Sequence, residues 1–122
     1  MKSVIRIKNA VFYAYHGAMS EEQSIGGKYE ADVELYFDFS EASKTDDLHK
    51  TVNYQEVYKY INRKINERKY YLIETLAVKI ANGLLRDYEI LTKVTVRIRK
   101  SNVPIGGVIE HVEAEVTKSR NE

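Results

Sequence analysis

The stretch "KYEADVELYFDFS", residues 28–40, alternates between apolar and polar side chains. Successive side chains of a β-strand point to opposite faces, so this pattern predicts a strand with one buried face. The apolar positions are Tyr29, Ala31, Val33, Leu35, Phe37 and Phe39, and the acidic positions are Glu30, Asp32, Glu34 and Asp38. A sheet that is covered on one face is therefore expected.

Three further segments carry the same alternation. "SVIRIKNAVFYAYHG", residues 3–17, predicts an inward face of Ile5, Ile7, Val11, Tyr13 and Tyr15, with Arg6 and Lys8 outward. "KVTVRIRK", residues 93–100, directs Val94, Val96 and Ile98 inward, and "VIEHVEAEVTK", residues 108–118, does so with Val112, Ala114 and Val116. The polar loop "GAMSEEQSIGG", residues 17–27, joins the first two strands and is longer than a tight hairpin needs.

Two helices separate these strand pairs. "NYQEVYKYINRKI", residues 53–65, has an apolar stripe at helical spacing: Tyr54, Val57, Tyr58, Ile61 and Ile65. Asn53 is a suitable N-cap, with Glu56 three residues later. "YYLIETLAVKIANGLL", residues 70–85, predicts a buried second helix that ends between Asn82 and Tyr88.

The order β-β-α-α-β-β predicts an α+β fold, with a four-stranded antiparallel sheet and two helices on one face. A length of 122 residues favours one domain spanning 1–122. The predicted strands are long, and long unpaired edges favour association with another chain. We therefore expect a homo-oligomer that pairs through its sheets.

Composition excludes several classes of function. Nineteen basic and 18 acidic residues give a net charge of +1, which gives no reason to expect a nucleic-acid or membrane partner. There are no cysteines, and no apolar run approaches the roughly 18 residues of a membrane span. We expect a soluble cytoplasmic protein without a metal or cofactor, because the three histidines lack metal-ligand spacing and no phosphate-binding loop is present.

Two charged residues break the apolar patterns. Lys100 continues the parity of Val96 and Ile98, so its side chain should point toward the apolar face. It is either a strand-end lysine whose stem reaches solvent or a partly desolvated acid or base at a pocket rim. On a helical wheel, Glu74 lies at the edge of the apolar stripe of the second helix. It is either an anion stabilised by the helix dipole or a carboxylate that holds a ligand.

Four segments, taken in order, are similar to the dihydroneopterin aldolase family of folate biosynthesis. They are "FYAYHGAMSEEQSIGGKYEADVEL" (12–35), "DDLHKTVNYQEV" (46–57), "LIETLAVKIA" (72–81) and "VRIRKSNVPIGGVIEHVEAEV" (96–116). The resemblance implies the tunnelling fold, in which four subunits join their sheets into a barrel-shaped ring and two rings commonly stack as an octamer. It also implies active sites between neighbouring subunits.

The resemblance further implies the roles of particular residues. Glu74 would bind the 2-amino and N3 edge of a pterin, with main-chain groups of Ile73 and Val52 completing that recognition. Lys100 would be the principal acid/base, and Glu22 would position that lysine and the substrate side chain. Tyr54, from the adjacent subunit, would pack against the ring and assist proton transfer.

The implied reaction is retro-aldol cleavage of 7,8-dihydroneopterin, with epimerisation as an expected side activity. Two alternatives stay open at this point. A dihydroneopterin triphosphate epimerase would bind the pterin with the same residues, but it would need a basic pocket for the triphosphate. The first loop is instead acidic at Glu21 and Glu22. A non-catalytic pterin-binding ring protein would keep Glu74 without the acid/base set.

Overall fold

The computed structural model describes residues 1–20, 22, 26–101, 103 and 105–122. Four strands form one antiparallel sheet in the order β1-β2-β3-β4: β1 (Val4–Ala14), β2 (Gly27–Tyr36), β3 (Lys93–Lys100) and β4 (Val112–Ser119). Between β2 and β3 lie α1 (Ser40–Thr45), a 3-10 turn (Leu48–Lys50), α2 (Tyr54–Asn66) and α3 (Ile73–Asp87). The predicted order is confirmed, apart from the short α1 and the turn, which the sequence reading missed. The proline and paired glycines of "SNVPIGG", residues 101–107, also predict a break after β3, and Pro104 itself lies outside the described residues.

The inward parity of the central strands is confirmed. Val33 and Leu35 of β2 are fully buried, as are Val96 and Ile98 of β3. Their registers place Val33 opposite Val96 and Leu35 opposite Val94, so the apolar series of both strands line the same face. Helix α3 packs on β3 and β4 over this face, and α2 packs on β1. The core therefore lies between one sheet face and the two long helices.

The predicted parity of β1 is wrong in its second half. A β-bulge sets both Lys8 and Asn9 against Asp32, because Ile7 pairs with Val33 and Ala10 pairs with Ala31. An extra residue in one strand moves all later side chains to the opposite face. Phe12 and Ala14 are consequently in the core. The side chains expected there are exposed: Val11, Tyr13 and Tyr15.

The helix-free face of the sheet carries buried carboxylates held by arginines. Asp32 accepts hydrogen bonds from Arg99 at 2.8 and 3.0 Å, and Glu34 accepts one from Arg97 at 3.0 Å. Burial opposes ionisation of Glu34, but hydrogen bonds from Arg97 and its neighbours outweigh that effect and lower its pKa to about 2. Charged bonds of this kind tie neighbouring strands together across the sheet.

The predicted cap of α2 is confirmed, but its apolar stripe is only partly correct. The Asn53 side chain accepts hydrogen bonds from the main-chain N–H groups of Gln55 and Glu56, at 3.0 and 3.4 Å. The buried side of the helix comprises Val57, Tyr60, Ile61 and Ile65. Tyr54 and Tyr58 are 65% and 42% exposed, because the first precedes the first buried turn and the second lies at the edge of the stripe.

Helices α2 and α3 approach closely at Gly83. A Cβ at this position would overlap the hydroxyl of Tyr60, so only glycine fits beneath that ring. The Tyr60 hydroxyl is buried and has no hydrogen-bond partner among the described residues. This contact explains a glycine inside an otherwise regular helix.

Candidate active site

Lys100 and Glu22 form an ion pair at one end of the sheet. The Nζ of Lys100 donates to Oε2 of Glu22 at 2.8 Å, and each side chain is only 16% exposed. Lys100 ends β3 on the parity of Ile98, so the predicted orientation toward the apolar side is confirmed. The first loop brings Glu22 back over this strand end, where the two charges are partly withdrawn from solvent.

A small cavity adjoins the pair. Its volume is about 100 Å³, and its lining comprises Glu22, Gly26, Gly27, Lys28, Tyr29, Lys100 and Ser101. Burial opposes ionisation of Glu22, but hydrogen bonds from Lys100 and from the Met19 N–H lower its pKa below the usual value. Burial and the Glu22 charge raise the pKa of Tyr29 to about 12. A larger cavity, about 600 Å³, lies at the opposite end of the strands near Val4 and Lys93 and contains none of the candidate residues.

His16 is a buried histidine whose two ring nitrogens are both bonded. Nδ1 accepts the main-chain N–H of Tyr70 at 3.0 Å, so the proton lies on Nε2, which donates to the carbonyl of Ile65 at 2.7 Å. Burial, assisted by the positive charge of Lys100, lowers the pKa of His16. The sequence alone does not decide whether His16 is structural or touches a substrate. In the structure it joins the end of β1 to the last turn of α2 and to the segment that follows it.

Glu74 lies in the first turn of α3 and is exposed. The helical wheel also predicts that Glu74 lies off the solvent side of this helix, and that prediction is wrong for the isolated chain. It makes no hydrogen bond or ion pair with any described residue. The side chains of Ile73 and Val52 are buried, at 5% and 4% exposure. Ile73 begins α3, where main-chain N–H groups have no partner within the helix. The Glu74 carboxylate and the main-chain N–H donor of Ile73 therefore lie next to each other at the start of α3.

The single chain brings together only part of the predicted site. Within the described ranges, no hydrogen bond or ion pair links Glu74 or Tyr54 to the Lys100–Glu22 pair. Sequence reasoning also missed Tyr29 and Tyr70, which hold the first loop. Tyr29 had a usable signal, since it begins the apolar series of β2 and stands opposite Lys100, which ends that of β3.

Two other kinds of feature are absent from the described part of the chain. Among the described residues, no three histidine, aspartate or glutamate side chains are grouped so that they could hold a metal ion. In the same part of the chain, no helix combines the length and apolar character needed to cross a membrane.

The sheet order, the helix pair between β2 and β3, and the lysine–glutamate pair at the strand ends define a protein of the tunnelling fold. A family model described as FolB, dihydroneopterin aldolase, matches residues 5–117. The chain belongs to the dihydroneopterin aldolase family, whose members are lyases of folate biosynthesis.

Curated relatives agree with this assignment. The dihydroneopterin aldolase of Bacillus subtilis is 32% identical over 117 residues, which cover 96% of this chain and 98% of the relative. That of Staphylococcus epidermidis is 36% identical over 121 residues, covering 99% and 100%.

Solved structures share the fold. The Escherichia coli dihydroneopterin aldolase in complex with neopterin superposes with a TM-score of 0.87 at 20% identity, covering 96% of this chain and 99% of that one. The Burkholderia thailendensis dihydroneopterin aldolase bound to guanine gives 0.80 at 21% identity, covering 97% and 91%.

Proposed function

We propose that this chain binds 7,8-dihydroneopterin and cleaves it to 6-hydroxymethyl-7,8-dihydropterin and glycolaldehyde, with the Lys100–Glu22 pair as its acid/base centre. The observation that carries the proposal is the 2.8 Å contact between two partly buried charges beside a cavity. Supporting it, the Escherichia coli relative was solved with neopterin and the Burkholderia relative with guanine. Both ligands present the same amino-pyrimidinone edge.

The pterin edge is held at the start of α3. Its 2-amino and N3 groups are adjacent N–H donors, and one carboxylate accepts both in parallel. Glu74 is exposed and makes no hydrogen bond or ion pair with a described residue, so its carboxylate is available for that role. Main-chain groups of Ile73 and Val52 complete the recognition.

The cleavage step uses the pterin itself as the electron sink. A base removes the C2′ hydroxyl proton, and the C1′–C2′ bond breaks to release glycolaldehyde. The bonding pair forms C1′=C6, while the C6=N5 pair moves to N5, which takes a proton. Protonation of C1′ and loss of the N5 proton restore C6=N5 and complete the product. This sequence requires neither a Schiff base nor an added oxidant.

Three side chains take part in these proton transfers, either directly or by orienting another group. Lys100 is the principal acid/base, acting directly or through water, and Glu22 orients it through the observed ion pair. Tyr54 assists the proton transfers after cleavage. General acid–base groups typically contribute ~10²–10⁴-fold each. If the intermediate re-adds to the opposite face of the glycolaldehyde carbonyl, C2′ is inverted and the C2′ epimer forms as a side product.

The site is completed by a neighbouring copy of the chain. Tyr54 is 65% exposed, and within the described residues it makes no hydrogen bond with Lys100 or Glu22. Both β1 and β4 are sheet edges, and each carries exposed apolar side chains, among them Val11 and Val112. Pairing of these edges would extend the sheet from subunit to subunit and place Tyr54 at a neighbour's site. The proposed assembly is a ring of four, or two such rings as an octamer.

A product assay tests this function directly. Purified protein is incubated with 7,8-dihydroneopterin and a chelator, and the products are separated by chromatography. Formation of 6-hydroxymethyl-7,8-dihydropterin supports the aldolase. Epimer alone would indicate an epimerase, and the triphosphate would be tested next. Pterin binding without conversion would indicate a non-catalytic ring protein.

A further inference from the structure

His16 is a buried titratable residue that the proposed chemistry does not use. Its side chain is 1% exposed and spans from the end of β1 to two distant segments. The ring bonds Tyr70, 54 positions away, and Ile65, 49 positions away. Such long-range hydrogen bonds in a buried site are costly to leave unpaired, so the ring is held in one orientation.

Further hydrogen bonds and ring contacts link His16, Gly17, Tyr29 and Tyr70. We call these four residues the His16 junction. The Gly17 N–H donates to the carbonyl of Tyr70 at 2.8 Å, so residues 16 and 17 bind both main-chain groups of Tyr70. The Tyr29 hydroxyl donates to the His16 carbonyl at 2.6 Å. The Tyr29 and Tyr70 rings also pack on the imidazole, with centroids 5.3 and 5.4 Å away.

The junction contacts both halves of the proposed site. On one side, the Glu22 carboxylate lies so close to Gly17 that a side chain there would overlap it. Tyr29, on the same side, pairs with Lys100 across the sheet. On the other side, Tyr70 comes three residues before Ile73, where α3 begins with its pterin-binding edge.

We propose that His16 is a positioning residue that fixes the Lys100–Glu22 pair relative to the pterin anchor at Ile73 and Glu74. The inference rests on the function proposed above for those residues. The pair and the anchor come from segments far apart in sequence, and the His16 imidazole connects those segments because it bonds Tyr70 and packs on Tyr29. A displacement of about 1 Å can cost roughly 10²-fold in rate.

Two conservative variants separate the two ring contacts. His16→Asn places an amide near the position of Nδ1 and keeps an acceptor for the Tyr70 N–H. His16→Gln places an amide near Nε2 and keeps the donor to Ile65, but it leaves the Tyr70 N–H unpaired. We expect His16→Gln to lower kcat by roughly tenfold or more and to raise KM. His16→Asn should retain most of the activity. The matched control is His49→Asn, at an exposed histidine, which should be unchanged.

A double variant distinguishes positioning from a purely structural role. If His16 acts through the acid/base pair, His16→Gln should lower kcat far less in a Lys100→Ala background than alone. Each variant is first shown to be folded by circular dichroism at the assay temperature. A folded His16→Gln protein with a lower Tm but wild-type kcat and KM would overturn the inference. Fully additive losses in the double variant would also overturn it.

Two further measurements keep the inference testable. If His16→Gln does not fold, Tyr29→Phe removes a single hydroxyl from the same junction and should lower kcat several-fold; wild-type kinetics in that variant would overturn the inference. If the wild-type protein binds 6-hydroxymethyl-7,8-dihydropterin but does not cleave 7,8-dihydroneopterin, the proposed chemistry fails. The pterin Kd then still tests the junction, because His16→Gln should weaken binding and His49→Asn should not.

Discussion

Asp32 accepts the main-chain N–H of Asn9 at 2.8 Å, and this contact anchors the β-bulge that reverses the parity of β1. Asn9 adopts the left-handed conformation, with a φ of 59°, and its side chain accepts a hydrogen bond from Arg99 at 3.0 Å. The bulge puts Phe12 and Ala14 in the core and sets the direction in which the strand reaches His16. A single residue in an uncommon backbone conformation thus determines how the first loop meets the site.

Substitutions at Asn9 should follow backbone preference. Asn9→Val should destabilise the protein by roughly 1–2 kcal/mol, because a left-handed φ is unfavourable for a β-branched residue. Asn9→Gly is the matched control and should cost less, since glycine accepts this φ and only the side-chain bond to Arg99 is lost. Urea unfolding measures both. Equal stabilities for the two variants would contradict the argument.

The contact between Gly83 and Tyr60 predicts a coupled pair of variants. Gly83→Ala should destabilise the protein by about 1–3 kcal/mol, because the new methyl overlaps the Tyr60 hydroxyl. Tyr60→Phe removes a buried hydroxyl without a described partner and should change stability little. The double variant should recover part of the Gly83→Ala loss. A thermal-unfolding double-mutant cycle with no coupling would contradict this contact.

Glu34 should make stability depend on acid pH. Its folded-state pKa of about 2 lies below the ordinary 4.5, so its ionised form stabilises the native state. That contribution is present above about pH 4.5 and is lost as the pH falls toward 2. Its size is on the order of 3 kcal/mol, at about 1.4 kcal/mol for each pKa unit.

Glu34→Gln should therefore lower the free energy of unfolding at pH 7 and flatten its decline between pH 4.5 and 2. Glu41→Gln is the control, because that carboxylate is 70% exposed in a surface ion pair with Lys50. Chemical unfolding at several pH values gives both curves. An unchanged slope in Glu34→Gln would show that Glu34 does not carry this dependence.

Lys100 and Glu74 should separate catalysis from binding. Lys100→Ala should reduce kcat by ~10²-fold or more while pterin binding persists, because it removes the acid/base group. Glu74→Ala should weaken pterin binding by more than about tenfold, because it removes a charged bidentate acceptor. Kinetics and direct pterin titration check both. Turnover that survives Lys100→Ala would refute its assignment, and unchanged affinity in Glu74→Ala would leave Glu74 as a helix-start anion.

Mixed oligomers test whether two subunits form each site. Lys100→Ala and Tyr54→Ala proteins should each be strongly impaired alone. If each site combines Lys100 of one subunit with Tyr54 of the next, random one-to-one mixing should leave about a quarter of the sites intact. Co-expression of the two variants, followed by the product assay, measures this recovery. No recovery in a mixed assembly would place both residues in one subunit's site.

Local sequence patterns determined much of this protein. The alternation of β2 and β3 established the covered sheet and the inward direction of Lys100, because side-chain direction in a regular strand depends only on parity. The side chain of Asn53 predicted the start of α2, because a cap needs only the next two or three residues. The ordered motifs around Glu22, Glu74 and Lys100 were sufficient to indicate the family.

Tertiary structure decided the features that depend on distant partners. The bulge at Asn9 requires Asp32 on another strand, so the parity of β1 alone misplaced Tyr13 and Tyr15. The ring of His16 finds its partner 54 residues away at Tyr70, a distance over which no local period carries information. Hydrophobic periodicity predicts which face of an element is buried, whereas buried hydrogen bonds between elements depend on how those faces come together.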